Sequence, residues 1–267
     1  MPILIKIGIL EVSSYGVFLA LAVLFGSFVV WQTIRNSGFS DEKVFDHLTV
    51  SIVVSFIGAR IFFAIVHPEV FRLSLLRIFL PWQFPGFTLW GALIGMGLVF
   101  LLLTKTQKIP YVEYFDAYGL AMPLLIMGIS LAIHFDGTVI GTETNLPIGL
   151  PAVGVTENRH PVGLYSLIFG ALVCLLFIYL RIKLRSRLEK GTIGWISISC
   201  LGFILLLLAF LRSDLIYLYG ISIDRVIATI MLIGPWGPLW IKLRLNENIN
   251  ALYKKVFIKN TNNPKNL

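Results

Sequence analysis

Residues 44–66 read VFDHLTVSIVVSFIGARIFFAIV. Beyond Asp46 and His47 near its start, a single charge, Arg60, interrupts an apolar run. About 20 such residues cross the hydrocarbon of a bilayer as a helix. A membrane barrel would instead show short alternating segments. Six other stretches read the same way: Ser13–Ile34, Pro85–Leu103, Val112–Ile133, Pro161–Leu180, Ile193–Phe210 and Ile221–Ile241. The expected fold is therefore all-α: a polytopic membrane protein with about seven transmembrane helices. Residues 1–245 are read as a single transmembrane domain and 246–267 as a basic cytoplasmic tail. The end of that tail, Asn260–Leu267, is expected to be disordered.

Composition agrees. The chain has 267 residues, 57% hydrophobic and 13% charged, with a mean hydropathy of +0.85. Soluble domains carry about 25% charged residues, so too little charge is present to clothe a soluble 30.0 kDa protein. A water-soluble enzyme, a disordered chain and a nucleic-acid module are excluded on this ground, and no nucleic-acid partner is expected despite the net charge of +8. That charge is read by position. Fifteen of the 22 lysines and arginines fall in segments on one side of the spans and six on the other, with Arg60 inside a span. The excess marks the cytoplasmic side, which places the N-terminus outside and the C-terminus in the cytoplasm. The first run has only Lys6 before it and is too long for a signal-peptide core. It is read as a retained helix.

Two segments outside the spans stand out. His134–His160 holds Gly137, Gly141, Pro147, Gly149, Pro151 and Gly154, so it is expected to be irregular. Long loops of this kind are more often functional than idle. Within Pro68–Phe84, the Phe71–Leu80 stretch mixes arginines with Leu and Phe and reads as a short interfacial helix. Cys174 and Cys200 lie inside apolar runs and read as two buried thiols. No disulfide framework or metal-ligand spacing is present, and no cofactor is expected.

Arg60 invites a functional reading, because an arginine at membrane depth is costly. It sits about 9 Å below the outer end of its helix, within reach of snorkelling. Arg159 and Arg212 fall on the same side. Guanidinium groups bind phosphate in bidentate fashion, so three of them suggest an anionic phospholipid headgroup. His160, in Arg159-His160-Pro161, has a pKa range suited to base work; a structural role is equally open. His134, Asp136, Glu143 and Glu157 share the same loop region, while His67 reads as an interfacial solvated group. Packing explains other patterns. Gly91 and Gly95 have small-xxx-small spacing, and Trp82, Trp90, Trp236 and Trp240 fit interfacial belts. Asp116, Asp224 and Arg225 read as helix-end charges or buried pairs. A seven-helix transporter would show broken helices or charges near mid-membrane, and few are present.

Several of these residues together resemble the prolipoprotein diacylglyceryl transferases of bacteria. Ile7-Gly8-Ile9-Leu10 with Ser14-Tyr15-Gly16 resembles that family's opening, and Ser40 through Asp46 the linker before its second span. Gly58-Ala59-Arg60 is similar to its G-[GA]-R motif. Glu113, Asp116 and Pro123 resemble its fourth span, Gly137, Gly141 and Leu146-Pro147 its signature loop, and Arg159-His160-Pro161 with Leu164-Tyr165 its RHPSQLYE segment, with Ser166 in place of the glutamate. Phe210-Leu211-Arg212 resembles the end of its sixth span.

The resemblance implies transfer of a diacylglyceryl group from phosphatidylglycerol, or a similar anionic phospholipid, to the lipobox cysteine thiol of a preprolipoprotein in the bacterial inner membrane. It implies catalytic roles for His160 and Tyr15. Substrate binding would fall to Arg60, Arg159, Arg212, Asp136, Gly137 and Gly141. Several family residues are replaced: a histidine by Trp90, an arginine by Ser130, an asparagine by Asp136 and a glutamate by Thr138. A tyrosine, an arginine and a glutamate of the sixth span fall on Leu201, Leu205 and Ala209. The alternative is accordingly a non-catalytic membrane protein of the same fold that binds phospholipid or lipoprotein.

Overall fold

A computed structural model describes residues 3–7, 10–71, 75–80, 84, 86–106, 111–137, 139–151, 157–183, 188–218 and 220–241. The basic tail, Trp82 and Thr138 lie outside the described residues.

The chain is mostly helical. A short antiparallel pair, β1 (Ile3–Ile7) and β2 (Leu10–Ser13), leads into α1 (Ser14–Arg35) and α2 (Asp41–Val66). A single helical turn, α3 (Pro68–Phe71), and a 3-10 turn at Leu75–Phe79 precede α4 (Leu89–Thr106) and α5 (Tyr111–Asp136). The two-residue strands β3 (Leu150–Pro151) and β4 (Asn158–Arg159) pair ahead of α6 (Val162–Lys183) and α7 (Thr192–Leu211). A hairpin of β5 (Tyr217–Leu218) and β6 (Ile221–Ser222) then enters α8 (Ile223–Ile233).

Five of these helices, α1, α2, α5, α6 and α7, are long and apolar enough to cross a membrane, and α4 offers a shorter apolar stretch, Leu89–Leu103. The seventh run differs from its reading as one continuous segment. α8 stops at Ile233, Gly234 and Pro235 form a turn, and helix resumes at 236–241. Pro235 has no N–H to give to a carbonyl one turn back, and its ring crowds that carbonyl, so the ladder breaks there.

The large apolar side chains left uncovered identify the surroundings. Leu24, Ile65, Leu175, Ile182 and Phe210 are each more than 60% exposed, and every long apolar helix carries such residues. Water would make so large an apolar surface prohibitive; lipid does not. This is a multi-pass membrane protein.

The chain divides into two compact units, residues 27–114 and residues 1–26 with 115–267. In the first, α2 and α4 touch backbone to backbone. A Cβ on Gly58 or Gly91 would overlap the other's carbonyl oxygen, and one on Gly95 would lie 2.6 Å from Val54 O. The small-residue spacing thus acts as a close helix contact. Trp90, expected at an interface, is instead 5% exposed at the start of α4, because the same close approach encloses the first turn of that helix.

In the second unit, Ile126, Val162, Val173, Phe177, Ile204 and Leu208 form the core between α5, α6 and α7. Cys174 and Cys200 are half-buried rather than fully enclosed. Asp116 resolves as a helix-end charge. Its carboxylate accepts the N–H groups of Gly191 (2.6 Å) and Gly194 (2.8 Å), satisfying the first turn of α7 from another helix. Asp224 and Arg225 likewise serve backbone: Asp224 accepts Ile216 N–H at 2.8 Å, and Arg225 donates Nε and Nη2 to the Ala209 carbonyl.

Candidate functional site

The candidate residues fall into two groups, one in each unit. In the unit of residues 1–26 and 115–267, they gather where α5 ends, α6 begins and α7 ends. Gly137 terminates α5 with φ +68° and returns its N–H to Ile133 O at 3.0 Å. This left-handed closure suits glycine, which has no Cβ to clash. The helices are locked together just behind. A Cβ on Gly163 would lie 2.8 Å from that of His134. Ser130 donates to Ile126 O (2.6 Å), and its hydroxyl lies 2.7 Å from that of Ser166. The Ser130–Ser166 bond joins α5 to α6 and could not be read from spacing, since the two residues lie 36 positions apart.

The loop read as irregular carries a small hydrogen-bonded patch. Gly141 bridges Arg212, Glu143 bridges Arg159, and β4 pairs with β3 on its other side. Thr142 N–H reaches Leu211 O (2.8 Å), His160 N–H reaches Thr142 O (3.0 Å), and Ser213 N–H reaches Ile140 O (3.0 Å). Residues 140–144 therefore tie the end of α7 to the segment that enters α6. Gly141 permits this, because a Cβ there would overlap the His160 carbonyl oxygen.

That patch sets the direction of Arg159. Being cross-strand partners, Arg159 and Glu143 present their side chains on one face. Arg159 Nη2 donates to Glu143 Oε1 at 3.1 Å, with Glu157 4.0 Å away, and Nη1 donates to Gly141 O at 3.1 Å. Nε is buried and has no hydrogen-bond partner among the described residues. His160 Nδ1 is hydrogen-bonded to the Tyr165 hydroxyl at 3.1 Å, one helical turn into α6. Arg212 grips Asp214 through both Nε (3.0 Å) and Nη2 (2.9 Å). Tyr15, at the start of α1, stands within electrostatic reach of Asp136. Asp136 is 8% exposed, and neither carboxylate oxygen has a hydrogen-bond partner among the described residues.

The second group surrounds Arg60. Its side chain is buried, yet every bond found for it goes to backbone: Nε to Ile78 O (2.9 Å), Nη1 to Gly86 O (2.9 Å) and Nη2 to Arg77 O (3.1 Å). The rings of Phe71 and Phe87 lie 4.8 and 5.6 Å from its Cζ, a favourable setting for a delocalised cation. The rest of the motif is also engaged. Ala59 O accepts both the N–H and the hydroxyl of Thr88 at 3.2 Å, and the Thr88 hydroxyl accepts Gly91 N–H, capping α4. Gly58-Ala59-Arg60 thus packs α4, fixes its entry and holds the segment before it. Nearby, His67 Nδ1 lies 3.1 Å from Glu69 Oε1. The Glu69 carboxyl is held below its usual range by its own backbone N–H, with smaller help from His67.

Sequence reasoning singled out Arg159 and His160 but not their pairing with Glu143 and Tyr165. Tyr165 carried a signal, five residues after His160 and one turn into a helix. The Glu143–Arg159 pairing carried none, because register between two loop segments is set by tertiary hydrogen bonds.

Comparison with known proteins adds an independent finding. The model of the family described as prolipoprotein diacylglyceryl transferase matches residues 2–241. The phosphatidylglycerol–prolipoprotein diacylglyceryl transferase of Trichormus variabilis is 27% identical over 259 residues, covering 91% of this chain and 90% of that protein. The protein of the same name from Clostridioides difficile is 26% identical over 227 residues, 84% of this chain and 88% of its own. That of Tropheryma whipplei is 25% identical over 202 residues, 70% and 72%.

Proposed function

The chain belongs to the prolipoprotein diacylglyceryl transferase family, and from that premise we propose that it transfers the diacylglyceryl group of phosphatidylglycerol to the cysteine thiol of a prolipoprotein. The thiol sulfur attacks the diacylglyceryl carbon that carries the phosphate ester oxygen. The carbon–oxygen bond breaks, glycerol phosphate leaves, and the thiol proton passes to a base. Our reading places this in the bacterial inner membrane, with seven crossings, the N-terminus outside and the basic tail in the cytoplasm. The α5–α6–α7 end then faces outward.

The observation that carries the site assignment is the buried Nε–H of Arg159, which has no acceptor among the described residues. A guanidinium held by two bonds of its own with a third donor open is preorganised for a phosphate oxygen. His160 follows it directly. In the tautomer whose Nδ1–H donates to the Tyr165 hydroxyl, Nε2 is the acceptor that a base requires. Tyr15, Arg212 and Asp136 complete this end, with Gly137 and Gly141 shaping its backbone. Arg60 has one N–H left on each Nη for a headgroup after its three carbonyl bonds. Its main contribution in our reading is to hold Arg77, Ile78 and Gly86.

A second reading, a non-catalytic binder of phospholipid or lipoprotein with a degenerate active site, is favoured by two observations. Ser130 and Ser166, at positions where the resembled motifs carry charge, bond to each other, and Trp90 is buried. Complementation of a transferase-depleted bacterium separates the two. Mass spectrometry of a lipobox peptide is expected to show a diacylglyceryl mass increase with the wild type, reduced at least about 100-fold in Arg159→Ala. An unmodified peptide with the wild type rejects the enzyme assignment.

A further inference from the structure

One feature of the α5–α6–α7 end is left unexplained by phosphate binding: the carboxyl of Asp136. It is more than nine-tenths buried, at the last turn of α5, and among the described residues neither oxygen receives a hydrogen bond. A buried carboxylate normally collects two or more donors, from N–H groups, hydroxyls or a cation. Left without them it is unfavourable in either protonation state, and far more so when ionised. Groups of this kind persist at sites where a ligand completes them.

Its setting narrows the ligand. Arg159 Nε, also buried and without a partner among the described residues, lacks an acceptor, whereas Asp136 lacks donors. The two belong to the same end of the same unit: His134 precedes Asp136 by two residues, and its Cα and Cβ lie against Gly163, four residues after Arg159. One headgroup satisfies both needs if it joins an anionic phosphate to vicinal hydroxyls. A bare phosphate or a simple alkyl phosphodiester satisfies only the arginine.

We propose that Asp136 is the headgroup-selecting residue, accepting the hydroxyls of the glycerol moiety of an anionic phospholipid whose phosphate is held by Arg159. This rests on the headgroup reading given above and adds to it a reason for choosing a polyol head. Sites built to bond a ligand hydroxyl reject analogues lacking it strongly, because the site's own polar group is then left unpaired.

The test is a lipid competition on the purified full-length protein in detergent. Phosphatidylglycerol is compared with phosphatidylpropanol of the same acyl chains, which keeps the charge and the three-carbon head but lacks both hydroxyls. The wild type is expected to prefer phosphatidylglycerol by about 10-fold or more. In Asp136→Ala, phosphatidylglycerol should weaken to the level of phosphatidylpropanol, which itself stays unchanged. Asp136→Asn keeps the side-chain shape and one acceptor oxygen, and should fall between; it carries the test if the alanine variant does not fold. Absence of a preference in the wild type, or an equal loss for both lipids in the variants, overturns the proposal. So does loss of the wild-type preference on chelating divalent cations, which would make Asp136 a metal ligand. Arg159→Ala separates the two ideas. Weakening of both lipids alike supports the phosphate reading. No change in either rejects that reading while leaving the Asp136 comparison intact.

Discussion

Arg60 shows what tertiary contacts add to the reading of a side chain. An arginine within an apolar span reads as a ligand contact, and three of its N–H groups run to the carbonyls of Arg77, Ile78 and Gly86. The planar fork matches carbonyls presented by different parts of one segment, which lysine's single ammonium cannot do. Arg60→Lys is therefore expected to destabilise the protein by about 3 kcal/mol and to expose residues 75–80 to protease, both read on the purified protein. Unchanged proteolysis would mean the segment is held by other contacts. Gly141 makes the complementary point about backbone. Gly141→Ala forces the segment of residues 140–144 away from His160 and should cost about 2–3 kcal/mol. Hydrogen exchange at the Thr142 and His160 amides, whose bonds knit the patch, should accelerate first.

At the level of elements, helix ends and helix crossings decide the outcome. α7 is preceded by its N-cap residue Gly191, whose φ of +86° is left-handed and which offers no side-chain cap. Its donors are served instead by Asp116 of α5. Asp116→Ala removes a charged acceptor from a helix N-terminus, an expected loss of about 1–2 kcal/mol. Thermal unfolding in detergent measures it, and an unchanged midpoint would show that other groups cap α7. The α2–α4 crossing tolerates no side chain at its centre. Gly91→Leu is expected to abolish folded protein, judged by size-exclusion chromatography, whereas a leucine at Gly97, where nothing lies within 4 Å, should be accepted.

For the whole molecule, the controlling fact is an apolar exterior on the long helices. It makes lipid the solvent and leaves close backbone contact and interhelical hydrogen bonds to hold the helices together. The proposed orientation rests on the distribution of lysine and arginine. A reporter active only outside the cytoplasm is expected to work when inserted after Asn145 and to fail when fused after Asn250. The reverse pattern would invert the topology and move the proposed headgroup site to the other leaflet.

Hydrophobic run length in the sequence was enough to establish a helical membrane protein and to locate the five longest helices within a few residues. Motif residues marked the family and the two arginine-bearing regions. These properties are legible because run length and local residue identity are written along the chain. The seventh run needed the local chemistry of Pro235 to be weighed against its hydropathy. Tertiary structure alone decided that Arg60 donates to three carbonyls, that Glu143 orients Arg159 and that Asp136 is enclosed without donors among the described residues. Each of these depends on which distant segments meet. Such meetings are fixed by hydrogen-bond register and by the close packing of glycines, neither of which spacing along a chain records.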